Sequence, residues 1–528
     1  MRDSDPVAPP LSPLAPASPV ASAPVPSASG PASLAPSLLM DLRPCYEGFA
    51  GIPQEARLLF AMFSGFRLRR FGGLASGIHY SSRRPKMRTP YERVLAQTQV
   101  LISQDTKRTH WLPGFASLPN AIKRRIFRPY LALTEIFRRE RLDLKIDPET
   151  FEDFLWVKLF DRTLAPHERP LVQKAEYFAT ELGHEYARSL SLLPRVFQRQ
   201  VDTQGWDVFF AATVSPYRVS PGTAAIIRYY DALPLLSPHT VGEPWPHALS
   251  HGRMLQRNME DGATFFCDSE PVRGDLLRIF PGAEKRVHTI PVVLAPEYRP
   301  DVRPQHELRT ILRRRASSVT ASSRRPGPEP AQLPRLIMAV STLEPRKNYL
   351  KLFRGFEIAK QMTAQPMQLL VVANPGWRSE AELTELKALV REGAYHLAGV
   401  PQAELRTLYS MAHLVVAPSR AEGFDYSGAE AMACGTPVLA SDIPVHRWVY
   451  GDAAEYFDGY DEEALARSLA RLVELPREDG HLAALRDRGL RQAALYRPES
   501  LMPRWEEAIR KVAENRLVTS FEASRGGA

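Results

Sequence analysis

One stretch of the sequence limits the possible folds of this chain more than any other: residues 421–438 read AEGFDYSGAEAMACGTPV. They place a glycine-bearing turn and a helix between two short apolar segments, Leu414 to Ala417 and Val438 to Ala440. Strand, turn, helix and strand in this order are typical of a parallel α/β sheet, in which ligands bind beyond the carboxyl ends of the strands. We therefore expect an α/β protein with a ligand site at this turn.

Two glutamates lie in this stretch, Glu422 in the turn and Glu430 eight residues later in the helix. Backbone N–H groups at a helix start attract phosphate, and the two carboxylates could accept hydrogen bonds from hydroxyls on either side of it. A nucleotide-diphospho-sugar has this layout. A structural interpretation also exists: Ser427 and Glu430 have the spacing of a capping box, although that box leaves Glu422 and Gly423 unexplained.

A basic pair forms the second candidate site, in the segment Ser341 to Asn348, STLEPRKN. Arg346 and Lys347 follow an apolar strand, Leu336 to Val340, and precede a helix. Arginine offers a planar fork and lysine a point charge, and both suit a diphosphate. Such a pair alone is commonly an exposed charged turn, but its place in the same domain as the two glutamates favours one shared site.

Residues 421–438 resemble the donor-binding motif of retaining glycosyltransferases of family 4 (glycosyl transferases group 1), E-G-F-G-x-x-x-x-E-A-M-A-C-G-T-P-V, with Asp425 where glycine is common. The resemblance implies an α/β GT-B fold, in which two Rossmann-like domains with parallel sheets face a central cleft and a carboxyl-terminal helix crosses back to the first domain. It also implies that Glu422 contacts the transferred sugar, that Glu430 contacts the ribose, and that Arg346 and Lys347 bind the diphosphate. The other donor-binding candidates in the motif are Gly423, Phe424, Tyr426, Ser427 and Gly428.

The amino-terminal half has weaker matches to the same family. Tyr46 to Ile52 resembles a Y-E-G-x-x-G-I loop, which places Gly51 near the transferred sugar, although a plain tight turn would also use this glycine. Ala225 to Asp231 resembles a strand that usually ends in His-Asp. Here Tyr230 replaces the histidine, which leaves Asp231 as the matching catalytic candidate and puts any imidazole role in doubt.

The domain boundaries follow from composition and from strand and helix patterns. The prediction is a disordered Pro/Ala/Ser tail over 1–37, an acceptor-side domain over 38–300 with a basic helical insertion at about 66–205, a linker over 301–334, a donor-binding domain over 335–497, and a crossover helix and tail over 498–528. Trp505 is expected to anchor the crossover helix.

The net charge of +9 is unevenly placed, because residues 1–330 carry +11 and the remainder is slightly acidic. This skew suits an anionic partner such as a lipid-linked acceptor or a bilayer surface. Lys123 to Leu133 could lie on an anionic membrane, or it could be a solvated helix face over a core. Nucleic acid is not expected, because short basic linkers such as Arg313 to Arg315 are usually solvated.

Neither a signal peptide nor a transmembrane span is expected, and three scattered cysteines favour a reducing compartment. The predicted location is the cytoplasm, with peripheral contact at the inner face of the membrane. No cofactor is expected. No metal is expected either. The other major glycosyltransferase fold holds its metal with an Asp-x-Asp cluster, and the one found in this sequence, Asp3 to Asp5, lies in the predicted tail.

The sequence thus predicts a metal-independent hexosyltransferase. It would move a hexose, with mannose as a candidate, from a nucleotide-diphospho-sugar to a glycan or lipid-linked acceptor in bacterial surface polysaccharide synthesis. Three alternatives remain open: another GT-B enzyme such as a sugar-nucleotide epimerase, an inactive sugar-nucleotide-binding scaffold, and a nucleic-acid-binding protein.

Overall fold

The computed structural model describes residues 35–46, 48, 51–76, 89–105, 142, 144–180, 184–240, 244–315 and 334–525. Its first sheet has eight strands within these ranges, in the order β3-β4-β2-β1-β5-β6-β7-β8, and only the β3–β4 pair is antiparallel. The strands are β1 Ser37–Asp41, β2 Arg70–Ser76, β3 Leu144–Ile146, β4 Glu176–Thr180, β5 Val208–Ala211, β6 Ala224–Tyr229, β7 Thr264–Cys267 and β8 Val287–Thr289.

The second sheet is wholly parallel and, over the same ranges, has six strands in the order β11-β10-β9-β12-β13-β14. Its strands are β9 Arg335–Val340, β10 Met367–Val372, β11 Tyr395–Leu397, β12 Leu414–Ala417, β13 Val438–Ser441 and β14 Ala454–Phe457. β12 and β13 are buried at every residue, which explains why both read as continuous apolar runs.

The longer helices mostly connect parallel strands, as expected where each crossover needs a dozen or more residues. They are α1 Ile52–Phe63, α2 Pro90–Asp105, α3 His184–Leu190, α4 Pro244–Glu260, α5 Glu270–Ile279, α6 Gln305–Arg315, α7 Tyr349–Met362, α8 Glu380–Glu392, α9 Gln402–Met411, α10 Tyr426–Ala433, α11 Pro444–Tyr450, α12 Glu462–Glu474, α13 Gly480–Ala494 and α14 Pro498–Arg525.

Helix α14 connects the two halves of the molecule, as predicted. Trp505 is fully buried, and its ring lies 5.8, 5.6 and 5.2 Å from the rings of Phe63, Phe210 and Phe266 in the first half. Just before the helix, the N–H of Leu294 donates to the carbonyl of Tyr496 at 2.8 Å. Two parallel-dominated sheets joined in this way form the α/β architecture that the sequence predicted.

Three predicted boundaries need correction. β1 starts at Ser37, whose N–H and hydroxyl both donate to Asp207, so ordered structure begins inside the predicted tail. The predicted insertion at 66–205 supplies β2, β3 and β4 to the first sheet, because the glycines of β2 hide its strand pattern. Residues 1–34 and the basic pattern at 123–133 lie outside the described residues.

The third correction concerns the predicted linker, which contains helix α6. Leu308, Ile311 and Leu312 are buried at helical spacing, a pattern that the neighbouring arginines obscured. Arg314 and Arg315 bind Glu404, with the Arg315 Nε 2.7 Å from the carboxylate. These arginines therefore hold α6 against the second half. In the part of the chain that the structure describes, no helix combines the length and apolar character needed to cross a bilayer.

Candidate functional site

The two sequence motifs meet at the carboxyl edge of the second sheet. β9 and β12 are paired parallel neighbours, so the turns that follow them emerge side by side. Arg346 and Lys347 lie in a one-turn 3-10 helix after β9, and Glu422 lies in the turn after β12. This is the position at which parallel α/β sheets bind ligands.

Arg346 and Lys347 bind the carboxylate of Glu422 from both sides. The Arg346 Nη1 is 2.7 Å from Glu422 Oε2, and the Lys347 Nζ is 2.5 Å from Oε1. The Arg346 Nε also donates to Glu344 at 2.9 Å. Glu422 is only 7% exposed. Burial alone would raise the pKa of Glu422, but Lys347 and Arg346 outweigh it and hold that pKa below its ordinary value.

Asn348 holds the basic turn in place, a role that sequence analysis missed. It adopts a left-handed backbone with φ of 61° directly before α7, a conformation that asparagine tolerates better than most residues. Its buried amide donates to the carbonyls of Pro418 and Gly459 at 3.0 and 2.8 Å. The asparagine after the Arg-Lys pair was the available sequence signal.

The capping-box interpretation of Ser427 and Glu430 is wrong, because Asp425 caps helix α10. Asp425 Oδ1 accepts from the N–H of Ser427 at 3.0 Å and from its hydroxyl at 2.6 Å. Its other oxygen lies 3.4 Å from the buried His446. Burial would raise the pKa of Asp425, but His446, Lys347 and Ser427 together hold it below the ordinary value.

Glu430 instead joins the two halves of the molecule. Its carboxylate accepts from the amide of Gln54, at the start of α1, at 3.1 Å and from the hydroxyl of Tyr409 at 3.1 Å. Burial raises the pKa of Glu430 to about 7, although both hydrogen bonds oppose the shift. Gln54 and Tyr409 were not predicted, because no local pattern connects them to Glu430.

The first half places two predicted residues, Gly51 and Asp231, near this edge. Gly51 has φ of 68° and immediately precedes α1, three residues from Gln54. Asp231 is partly exposed and accepts from the N–H of Leu233 at 3.0 Å. Burial raises the pKa of Asp231, and the charge of Arg346 opposes the shift. Asp231 is therefore within electrostatic range of Arg346.

The remaining motif residues differ in what they face. The Phe424 ring packs among Tyr426, Trp448 and Tyr496, at centroid distances of 5.7, 6.3 and 5.2 Å, so it belongs to the core and leaves its backbone for a ligand. Ser427 is engaged by Asp425, and Gly428 lies directly against the Tyr450 hydroxyl.

Gly423 lies where the two halves touch. A Cβ added to it would stand 1.7 Å from the carbonyl oxygen of Tyr230. The hydroxyl of Ser269 donates to the carbonyl of Gly423 at 2.8 Å. The turn that carries Glu422 is thus in backbone contact with the first half.

Metal ligands do not cluster in the described ranges, where no group of three His, Cys, Asp or Glu side chains is arranged to hold an ion. The charge that a ligand would meet at this edge comes instead from Arg346 and Lys347. Metal independence stays a prediction.

Comparison with known proteins identifies the family that the second half resembles. Residues 324–489 match the family model of glycosyl transferases group 1. Over 158 residues the chain is 31% identical to O-antigen chain mannosyltransferase B of Escherichia coli, covering 30% of this chain and 41% of that protein. Over 73 residues it is 42% identical to O-antigen chain mannosyltransferase RfbU of Salmonella typhimurium, covering 14% and 21%. The matched stretch thus spans less than half of either relative.

Among solved structures, the N-terminal domain of Candida albicans trehalose-6-phosphate phosphatase aligns with a TM-score of 0.53 at 12% identity, covering 92% of this chain and 98% of that chain. This likeness concerns the fold alone. The GT-B fold is confirmed, and the second half carries a glycosyl transferases group 1 domain, as the motif resemblance implied.

Proposed function

We propose that the protein is a retaining, metal-independent hexosyltransferase that moves a hexose from a nucleotide-diphospho-sugar to a glycan or lipid-linked acceptor in bacterial surface polysaccharide synthesis. Mannose is the first candidate sugar, because the two relatives named above are O-antigen mannosyltransferases. The observation that carries the proposal is the convergence of Arg346 and Lys347 on Glu422 at the carboxyl edge of the second sheet.

The basic pair would stabilise the departing diphosphate. In the transfer, the acceptor oxygen bonds to the anomeric carbon, the bond from that carbon to the diphosphate oxygen breaks, and the acceptor proton ends on the diphosphate. Negative charge builds on phosphate oxygens during this step. Arg346 and Lys347 are held by Glu422, Glu344 and Asn348, so they need little rearrangement to meet that charge. Preorganised charge of this kind is a large contribution to catalysis.

The two glutamates would bind opposite ends of the donor. Glu422, released from part of its pairing when the diphosphate takes over the two cations, would accept hydrogen bonds from sugar hydroxyls. Glu430 would accept from the ribose hydroxyls in place of Gln54, while Tyr409 keeps its orientation. Asp231 would face the transferred sugar from the first half. No step in this scheme requires a metal.

The acceptor class and the location are proposed from the uneven charge of the sequence. The +11 of residues 1–330 suits an anionic acceptor such as a lipid-linked diphosphate, and it suits peripheral contact with the inner face of the cytoplasmic membrane. Pelleting with vesicles of anionic and of neutral lipid tests this part. Equal binding to both lipids would contradict it.

The test of the activity starts with a thermal-shift screen of nucleotide sugars, including GDP-mannose and UDP-glucose. A donor at a hundred times its Kd should stabilise the protein by about 2.7 kcal/mol. The donor that binds is then assayed for hydrolysis and for transfer. Wild type should turn the donor over, and Glu422→Gln and Arg346→Ala should each reduce the rate by about a hundredfold or more.

The control is Glu474→Gln, an exposed substitution at the end of α12 that should leave the rate unchanged. Donor binding without hydrolysis or transfer would identify an inactive scaffold. Conversion of the donor to a different nucleotide sugar, with no acceptor present, would identify an epimerase.

A further inference from the structure

Two carboxyl groups of the first half emerge together opposite the Glu422 turn. Strands β6 and β7 are parallel neighbours in which Tyr229 pairs with Cys267. Asp231 follows β6 by two residues and Asp268 follows β7 by one, so both leave the same edge of the first sheet. The proposed transferase reaction uses Asp231 but gives Asp268 no part.

Asp268 is buried against the donor turn. It is 1% exposed, and its Oδ2 would lie 3.1 Å from a Cβ placed on Gly423. Its Oδ1 is buried and has no hydrogen-bond partner anywhere in the described part of the chain. Buried polar atoms are nearly always paired, so such an orphan needs an explanation. A ligand hydroxyl that enters when the two halves separate would provide one.

The surroundings of Asp268 favour a neutral ligand. Burial raises the pKa of Asp268 well above its ordinary value; Arg228 opposes the shift, while Glu55 and Asp231 add to it. Arg228 is already satisfied, because it pairs with Glu55 at 2.7 Å and donates to the carbonyl of Ile290 at 2.6 Å. With Glu55 and Asp231 close to it, the Asp268 carboxyl suits a sugar hydroxyl better than an anion.

A second buried polar group without a hydrogen-bond partner lies in the second half. The hydroxyl of Tyr426, at the start of α10, is buried with no partner in the described residues. Burial raises the pKa of Tyr426, and Glu55 and Tyr230 of the first half add to the shift. Two unsatisfied hydrogen-bonding groups therefore lie in the surface that the two halves share.

We propose that Asp268 binds a hydroxyl of the sugar acceptor and positions that acceptor beside the transferred sugar, which Glu422 and Asp231 face. The inference rests on the proposed transferase function. The diphosphate and the ribose are bound by groups of the second half, and Asp268 lies next to the place where the transferred sugar meets the first half. Of the first-half groups, Tyr230, Asp268 and Ser269 contact Gly423, next to Glu422.

The experiment measures two rates with GDP-mannose as donor: hydrolysis by water and transfer to an added acceptor. The acceptors are the methyl α-glycosides of mannose, glucose, galactose and N-acetylglucosamine. Asp268→Ala should raise the acceptor KM at least tenfold while the donor KM and the hydrolysis rate stay within twofold of wild type. Asp268→Asn, which keeps a donor and an acceptor atom at the same place, should recover much of the loss.

The control is Asp275→Ala on α5, where the carboxylate pairs with Arg278 on the protein surface. An equal fall of hydrolysis and transfer in Asp268→Ala would show a structural role and overturn the inference. So would an unchanged acceptor KM, or a wild type that hydrolyses donor but captures none of the glycosides. A wild type that neither binds nor hydrolyses any nucleotide sugar would instead refute the proposed function itself.

Discussion

At the scale of single residues, the site is built around one buried carboxylate, Glu422, and two partly buried cations, Arg346 and Lys347. Glu422 has two cations and Arg346 has two carboxylates. Removing one partner of a buried ion pair costs about 3–5 kcal/mol, because the other charge stays buried and unmatched. A diphosphate that replaces Glu422 on the basic pair therefore exchanges one set of charge contacts for another.

Glu430 gives a prediction about stability and pH. Burial raises the pKa of Glu430 from an ordinary value of 4.5 to about 7, so folding favours the protonated form. The resulting contribution to stability is present below pH 4.5 and is lost as the pH rises through 7. Glu430→Gln removes this dependence. The variant should gain roughly 2 kcal/mol relative to wild type between pH 5 and pH 8.

Urea unfolding of both proteins at pH 5, 6, 7 and 8 measures this difference. Gln54 and Tyr409 donate to different oxygens of Glu430, so glutamine keeps one of these hydrogen bonds through its carbonyl oxygen. The cost of losing the other should be equal at every pH. A stability difference that does not change with pH would contradict the assignment of the raised pKa to Glu430.

At the scale of elements, helix α10 depends on a residue that departs from the family motif. Asp425 replaces a common glycine, caps the helix and contacts His446. We expect Asp425→Ala to lower the free energy of unfolding by about 1–2 kcal/mol through loss of the cap. Asp425→Asn should lose less, because asparagine caps as well as aspartate. Thermal unfolding of the three proteins compares them, and equal losses in both variants would assign the effect to charge.

The contact between the Glu422 turn and β6 gives a second prediction at this scale. In Gly423→Ala the new methyl group meets the Tyr230 carbonyl, and neither backbone can move without its sheet. The two halves should be held apart, so transfer falls at least tenfold while the thermal unfolding of each sheet changes little. Gly274→Ala on α5 is the matched control, because nothing lies within 4 Å of its new methyl group. Normal transfer by Gly423→Ala would show that this contact is dispensable.

The elements also show what the sequence could and could not predict. Strand β12 has the predicted bounds and β13 extends one residue further, because their apolar runs and flanking turns are strong local signals. β2 was missed because its two glycines have low strand propensity. Gln54 and Glu430 are 376 positions apart, and only the packing of the two halves brings them together. The convergence of Arg346, Lys347 and Glu422 was predictable because adjacent parallel strands carry them.

At the scale of the whole molecule, helix α14 and the residues just before it connect the two halves. Arg497, before α14, donates to the carbonyl of Ala295 at 2.9 Å and to that of Tyr298. Trp505 then fills the space between α1 and strands β5 and β7, with the Arg228 guanidinium 5.5 Å from its ring. The ring thus packs beside the buried ion pair of Arg228 and Glu55.

Trp505→Ala should therefore separate the behaviour of the two halves. Truncation of a buried tryptophan costs about 3–5 kcal/mol, and here the loss falls on the junction and on the first half. We expect the single unfolding transition of wild type to split into two in urea, with the donor-binding half unfolding last and still binding nucleotide. Met502→Ala, on the same helix but 37% exposed, should unfold like wild type. One cooperative transition at the wild-type midpoint in Trp505→Ala would mean that the halves are joined chiefly through Gly423, Ser269 and the Gln54–Glu430 hydrogen bond rather than through α14.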